Sequence, residues 1–326
     1  MKESTAFMYF KDACKDSRLR INAFCGAVFG TWGLISSFFC KEVTFYVLSF
    51  LACITIIFAL YNILVLYRKL SGGRLDVSLL GERKVTLLQN GYPENMELLF
   101  QEKSAEELKN FAFVMGFDRT GNLSISSLGG VVYSVLKDLK ARYHCLDEKG
   151  NSITPLEEAQ RQVKDYLKKH EQDWVDETNK LNYGDCVEVR LNLIPHQNTG
   201  KDAIPCNLIL VANSRQNNPE EENTPSEDLN DDNQSNIIVP KVFDYLLRVK
   251  SYTGVMIGVM GTNAMGQKYS VIFSQIINQY ARLFYKEKRV HLGQLYISIR
   301  EKDYKAHNMT LIQLTDHVRR CALYYT

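Results

Sequence analysis

The feature that most constrains this chain is a pair of apolar runs near its start. Ile21–Cys40 is 20 residues without a charge, Lys41 and Glu42 interrupt, and Val43–Tyr67 is 25 more. A helix needs roughly 20 residues to cross about 30 Å of hydrocarbon, so each run is long enough. A signal peptide does not fit, because its apolar core is only about 7–15 residues and a cleavage site follows it. A buried hairpin is the bland alternative, and it needs a large protein around helices that are apolar on every side. Read as a transmembrane hairpin, the segment is oriented by its flanks. Lys2, Lys11, Lys15, Arg18 and Arg20 precede it, Arg68, Lys69, Arg74, Arg83 and Lys84 follow it, and the turn holds only Lys41. Basic flanks stay on the cytoplasmic side. The expectation is a membrane protein, multi-pass with two spans and both termini cytoplasmic, with membrane lipid as a partner. Gly26, Gly30 and Gly33 would let helices approach closely. No ionisable side chain lies in either run, so there is no sign of a proton relay or ion pathway. Any action of these helices would then need an assembly, hence a homo-oligomer.

Composition adds exclusions. A net charge of +2 over 326 residues gives no support to nucleic-acid binding. The cysteines are scattered with no C-x-x-C pair, and the histidines form no H-E-x-x-H, so neither a metal centre nor a disulfide framework is expected. The cysteines read as small buried apolar residues. His144 and His196 read as isolated surface residues. The expected organisation is a basic cytoplasmic N-terminus (1–20), the hairpin (21–70), a linker (71–84) containing Ser71-Gly72-Gly73, and one ligand-binding domain (85–326). Within that domain, 217–236 carries seven acidic and no basic residues and reads as a mobile acidic loop. A calcium site there lacks the D-x-D-x-D-G spacing.

After the linker, strand and helix signals alternate. Strands are expected at Val85–Gln89, Phe111–Phe117, Val187–Leu193, Cys206–Ala212, Gly254–Met260 and His291–Arg300. Phe111–Phe117 and Gly254–Met260 are short apolar runs, as in strands buried on both faces. Asn90-Gly91-Tyr92-Pro93 reads as a turn. Helices are expected at Glu94–Lys109, Val131–Arg142, from Pro155 to about Lys180, Pro240–Lys250, from Gln267 to about Phe284, and from Thr310 onward. Thr154, Pro155 and Glu157 form a capping box with proline at the first helical position. The fold class is α/β: a three-layer α/β/α domain with a mixed, mostly buried sheet.

Two loops could carry chemistry, because ligands of such sheets bind beyond the carboxyl ends of strands. The first, Asp118–Gly130, follows one apolar strand and enters a helix; the second, Gly261–Gly266, does the same after another. Glycine lets backbone N–H groups converge on an anion, and the following helix N-terminus adds a favourable field. Together the loops could hold a diphosphate. The candidate ligand-binding residues are Gly116, Phe117, Asp118, Ser126, Ser127, Leu128, Gly129 and Gly130, with Gly261, Thr262, Asn263, Ala264, Met265 and Gly266. A strand–glycine–helix turn is often only a turn. No G-x-x-x-x-G-K-[ST] is present, which removes a nucleotide-triphosphatase reading.

The loops, in this order and separation, resemble those of the macro domain, a module that binds ADP-ribose and its derivatives. The resemblance spans roughly Val85 to Thr326. It implies that Asp118–Gly130 is the first phosphate loop and Gly261-Thr262-Asn263 the second. The usual asparagine-alanine-asparagine segment is replaced by Gly116-Phe117-Asp118, and the glycine triplet is reduced to Gly129-Gly130. The asparagine for the distal ribose thus has no direct counterpart, Asn122 being the nearest, which argues against de-ADP-ribosylation. Asn90 stands where an acidic residue for the adenine amine would be expected. With two spans ahead of it, the whole chain resembles the membrane effector of bacterial Thoeris-type anti-phage defence. That resemblance implies a nucleotide signal made from NAD by a TIR-domain enzyme, its binding by the macro-like domain, and assembly of the helices to damage the membrane, which it implies is the bacterial inner one. The implied ligand is an ADP-ribose derivative, amino-acid-conjugated forms included; no cofactor and no catalytic residue is implied. Two other readings stay open: an ADP-ribose-processing hydrolase, for which Asp118 is the one placed acid, and a protein-binding adaptor without a nucleotide ligand.

Overall fold

A computed structural model of the chain describes residues 73–79, 84–123, 131–147, 150–175, 180–196, 203–214, 233–249, 252–260, 268–285 and 292–323, together with Gly30. The strands are β1 (Arg74–Ser78), β2 (Lys84–Leu88), β3 (Phe111–Asp118), β4 (Tyr143–Leu146), β5 (Ser152–Ile153), β6 (Cys186–Pro195), β7 (Ile204–Ser214), β8 (Gly254–Gly258) and β9 (Gln294–Ser298). The helices are α1 (Tyr92–Glu102), α2 (Ala105–Lys109), α3 (Val131–Arg142), α4 (Pro155–Lys169), α5 (Asn233–Val249), α6 (Tyr269–Tyr285), α7 (Glu301–Ala306) and α8 (Leu311–Leu323). The chain divides into two compact units. The smaller is Met1–Leu75 with Thr310–Thr315; the larger is Asp76–Met309 with Asp316–Thr326 and holds most of the sheet.

Among the described residues the strands form one sheet in the order β1-β2-β9-β8-β3-β7-β6-β4-β5. From β2 to β7 all neighbours are parallel, whereas β7–β6, β6–β4 and β4–β5 are antiparallel. The sheet is therefore mixed. All of β3 and β8 is buried, as their unbroken apolar runs require of strands covered on both faces. Alternation sorts their side chains. Phe111, Phe113, Met115, Phe117, Leu208, Leu210 and Met256 join one core cluster with α1, α3 and α4, including Leu99, Leu136 and Val163. Ala112, Val114, Ile209, Val211, Val255 and Ile257 are buried on the other face, the side on which α5 meets β7 and packs against α6. Two helical layers thus enclose the sheet, as expected.

Local signals explain most boundaries. Thr154 Oγ1 accepts the Glu157 N–H at 3.2 Å while the Glu157 carboxylate accepts the Thr154 N–H at 2.8 Å, so α4 opens on the expected capping box. It stops at Lys169, short of the expected Lys180, because the backbone turns at His170 into a short 3-10 segment, Glu171–Asp173. The expected helix Glu94–Lys109 is two helices. Ser104 caps a new start with Glu107, and Lys103 and Ser104 are extended. Tyr92 and Pro93 belong to α1 rather than to a turn, with proline in its first turn. α5 begins at Asn233, so Pro240 lies inside the helix instead of opening it.

One expectation is corrected. Among the described residues no helix is long and apolar enough to cross a membrane. The longest, α5 and α6, have 17 residues each, below the roughly 20 that a span requires. The inner-membrane location, with two spans, cytoplasmic termini and lipid as partner, is withdrawn accordingly. The runs 21–40 and 43–67 that suggested it lie, apart from Gly30, outside the described residues, as does 215–232 of the acidic loop region.

Candidate functional site at the carboxyl edge of the parallel strands

The parallel strands β2, β9, β8, β3 and β7 all end on one edge of the sheet. The two strands that precede the glycine-rich segments are immediate neighbours there: Phe111 pairs with Gly254 and Val114 with Ile257. The Tyr92 phenol links them, donating to the Val114 carbonyl at 2.9 Å and the Met256 carbonyl at 3.1 Å. Burial holds this phenol well above its ordinary pKa, so it is a permanent donor.

Asp118 closes β3. The ladder with β7 shifts register between Phe117 and Asp118, an irregularity that re-aims the last side chain. Asp118 is only 8% exposed; its Oδ1 accepts the Thr120 N–H at 2.7 Å, and its buried Oδ2 has no hydrogen-bond partner among the described residues. An unpaired buried carboxylate oxygen is costly, and such groups mark places where something else completes the bonding. The other two candidates on β3 have structural work. Phe117 lies in the core cluster. Gly116 lies against the Asn213 side chain of β7, and a Cβ there would collide with that amide.

Sequence reasoning missed further polar groups on this edge. Gln89, directly after β2, is 5% exposed, and neither its Oε1 nor its Nε2 has a partner among the described residues. Asn95 donates to the Ser298 hydroxyl at 2.9 Å and to the Asn90 carbonyl at 3.0 Å, and its own Oδ1 has no partner among the described residues. The Tyr269 hydroxyl, at the start of α6, is buried and without a partner among the described residues, and burial, with Asp303 adding to it, drives its pKa far up. Nothing in spacing or periodicity marks these residues. The only signal was that each directly follows a strand or opens a helix.

Arg119 is buried beside Asp118. Its Nε donates to the Leu181 carbonyl at 2.7 Å, its guanidinium stacks 4.2 Å from the centre of the Tyr183 ring, and its carbonyl accepts the N–H groups of Lys180 and Leu181. It locks the chain after β3 to a distant segment. Asn122, the nearest residue to the missing ribose asparagine, is exposed, and its N–H donates to Thr120 Oγ1 at 3.3 Å. Of the remaining candidates, Ser126, Ser127, Leu128, Gly129, Gly130 and Gly261–Gly266 lie outside the described residues.

The titratable groups elsewhere do not form a centre. Cys145 and Cys186 are buried thiols pushed up to about 11 and about 12 by desolvation. Among the described residues no three His, Cys, Asp or Glu side chains could share a metal ion. His144 and His196 are not isolated: their rings stack with centroids 5.5 Å apart, because β4 and β6 are paired.

No family model matches this chain, and no curated protein does. Solved structures do. A point mutant of the Oceanobacillus iheyensis macrodomain is 12% identical, with a TM-score of 0.42 over 74% of this chain and 98% of that one. The same macrodomain with ADP is 11% identical, with a TM-score of 0.40 over 74% and 97%. Poly(ADP-ribose) glycohydrolase from Deinococcus radiodurans in complex with ADP-ribose is 10% identical, with a TM-score of 0.36 over 74% and 84%. Likeness at this level assigns no family, and the site rests on strand order and on the side chains at the edge.

Proposed function

We propose that the chain binds an ADP-ribose-derived nucleotide at the edge shared by β3 and β8 and acts as its sensor. The parallel pairing of these two strands carries this reading, because both glycine-rich segments then leave neighbouring positions of one edge. In this reading the N–H groups of Ser126–Gly130 and Gly261–Gly266 hold the diphosphate, and the free Oδ2 of Asp118 accepts a ligand hydroxyl. The ligand is ADP-ribose or an amino-acid conjugate of it, supplied by an NAD-consuming TIR-domain enzyme in anti-phage defence. Its differential affinity for an assembled form would shift the chain toward that homo-oligomer.

Isothermal titration of the full chain with ADP-ribose and with an amino-acid-conjugated ADP-ribose tests this. Binding without turnover, abolished by Gly129→Phe or Gly261→Phe, is the expected result; a folded sample that takes up neither ligand overturns it. The Asp118 oxygen also favours a second reading, because a carboxylate placed there could take a proton from an attacking water. Chromatography of the titrated sample separates the two, since hydrolysis of the conjugate would replace the sensor by a hydrolase.

A further inference from the structure

The Gly121–Leu123 part of the turn that follows Asp118 is held by a side chain of α4. Gln160, half-buried in the second turn of α4, donates from Nε2 to the Gly121 carbonyl at 3.0 Å and accepts the Leu123 N–H on Oε1 at 2.8 Å. A carboxamide offers a donor and an acceptor on one uncharged planar head, so one residue closes both groups. Bonds within the turn run from Thr120 N–H to Asp118 Oδ1, from Gly121 N–H to the Asp118 carbonyl and from Asn122 N–H to Thr120 Oγ1, and Arg119 ties the start of the turn to Lys180 and Leu181. Gly121 has φ +77 and sits against Leu167 of the same helix, where a side chain would be both strained and obstructed. Leu123 is buried in the cluster that contains Val163 and Leu167. Helix α4 therefore fixes the path of the chain as it leaves the edge.

Two residues further along, α4 repeats the device on another target. Gln162 Nε2 donates to the Arg190 carbonyl at 2.8 Å and its Oε1 accepts the Arg190 N–H at 2.9 Å. Arg190 pairs with Asn207 near the start of β7, away from the carboxyl edge.

We infer that Gln160 is a positioning residue for ligand binding at the β3–β8 edge, an inference that rests on the nucleotide reading above. Without it the turn after Asp118 must be ordered when the ligand arrives, and that ordering appears as lost affinity. Gln162 makes the same pair of bonds where no ligand is read, and its Nε2 also donates to Glu158 Oε1 at 2.6 Å, so its loss removes stability alone.

The test compares full-length wild type, Gln160→Leu, Gln160→Glu and Gln162→Leu by calorimetric titration with ADP-ribose, each with a thermal melt. Gln160→Leu and Gln162→Leu should melt at similarly lowered temperatures. Only Gln160→Leu should weaken binding, by about tenfold or more for two lost hydrogen bonds, with Gln162→Leu within about twofold of wild type. Gln160→Glu keeps the acceptor for Leu123 and loses the donor to Gly121, so its affinity should lie between those of wild type and Gln160→Leu. Equal weakening by Gln160→Leu and Gln162→Leu, or none by Gln160→Leu, overturns the role of Gln160 while leaving the nucleotide reading in place. Absence of binding by wild type removes both.

Discussion

At the residue scale the site turns on groups whose bonding is incomplete or crowded. Asp118 keeps one oxygen bonded to the turn and one free. Asp118→Asn can keep the first bond through its amide oxygen, but its Nδ2 cannot accept a hydroxyl. The variant is expected to stay folded and to bind ADP-ribose about tenfold more weakly, since hydrogen bonds to charged groups contribute roughly 1.5–3 kcal/mol. A calorimetric titration checks this, and unchanged affinity would remove Asp118 from the site. Gly116 is a packing position. Gly116→Ala should cost about 1–3 kcal/mol in urea unfolding, as overpacking generally does. Asn213→Gly in the same chain should recover much of that loss, because the amide is what the new methyl would meet. If the double variant is no better than the single one, the clash is not the cause. The residue types at Gly116, Phe117 and Asp118 were readable as a strand end; their division of labour was not, because it depends on β7 and on the core beneath.

At the element scale, caps and breaks were the most legible features. The Thr154–Glu157 box is a four-residue pattern, and both of its bonds form. Thr154→Ala should lower stability at neutral pH by about 1 kcal/mol, the usual cost of a lost N-cap. The backbone N–H of Thr154, then its hydroxyl, hold the Glu157 carboxyl below its ordinary range. A depressed carboxylate contributes stability that is present above its unfolded pKa and lost as pH falls through its folded one. The gap between wild type and Thr154→Ala should therefore narrow as a series of melts is carried below about pH 4.3, the ordinary glutamate value. A gap that stays constant with pH would mean that the carboxylate takes no part in the cap. What the pattern did not reveal was where helices stop. α4 ends at Lys169 although the charged, helix-favouring sequence runs on, because the tertiary setting puts a 3-10 turn there. Likewise β4, β5 and α7 are too short to leave a periodic signal; β4 and β5 exist through their pairing partners.

At the scale of the whole molecule, the sheet joins segments that are far apart in sequence. β2 and β8 do not touch; each pairs with β9, Val85 with Leu295 and Val255 with Leu295. A chain truncated after residue 290 loses the strand between them. It is expected to lose its folded state altogether, rather than retain a folded N-terminal half. Circular dichroism and a urea titration check this, and a cooperative transition in the truncated chain would show that β9 is dispensable. Long-range parallel pairing of this kind also predicts slow refolding relative to helical proteins of similar size.

The sequence by itself determined the longer strands and helices, since an apolar run, a period or a cap is written in consecutive residues. It marked β3 and β8 as buried on both faces and α3 as running from Val131 to Arg142, and it placed glycine-rich segments after both strands. The tertiary structure alone decided that β3 and β8 are neighbours, that Gln89 and Tyr269 are buried with polar atoms unpaired, and that Gln160 holds the turn after Asp118. The reason is physical. Side-chain periodicity states which face of an element is covered but carries no information about which distant element covers it, and a hydrogen-bonding deficit exists only once water has been excluded by parts of the chain far away in sequence.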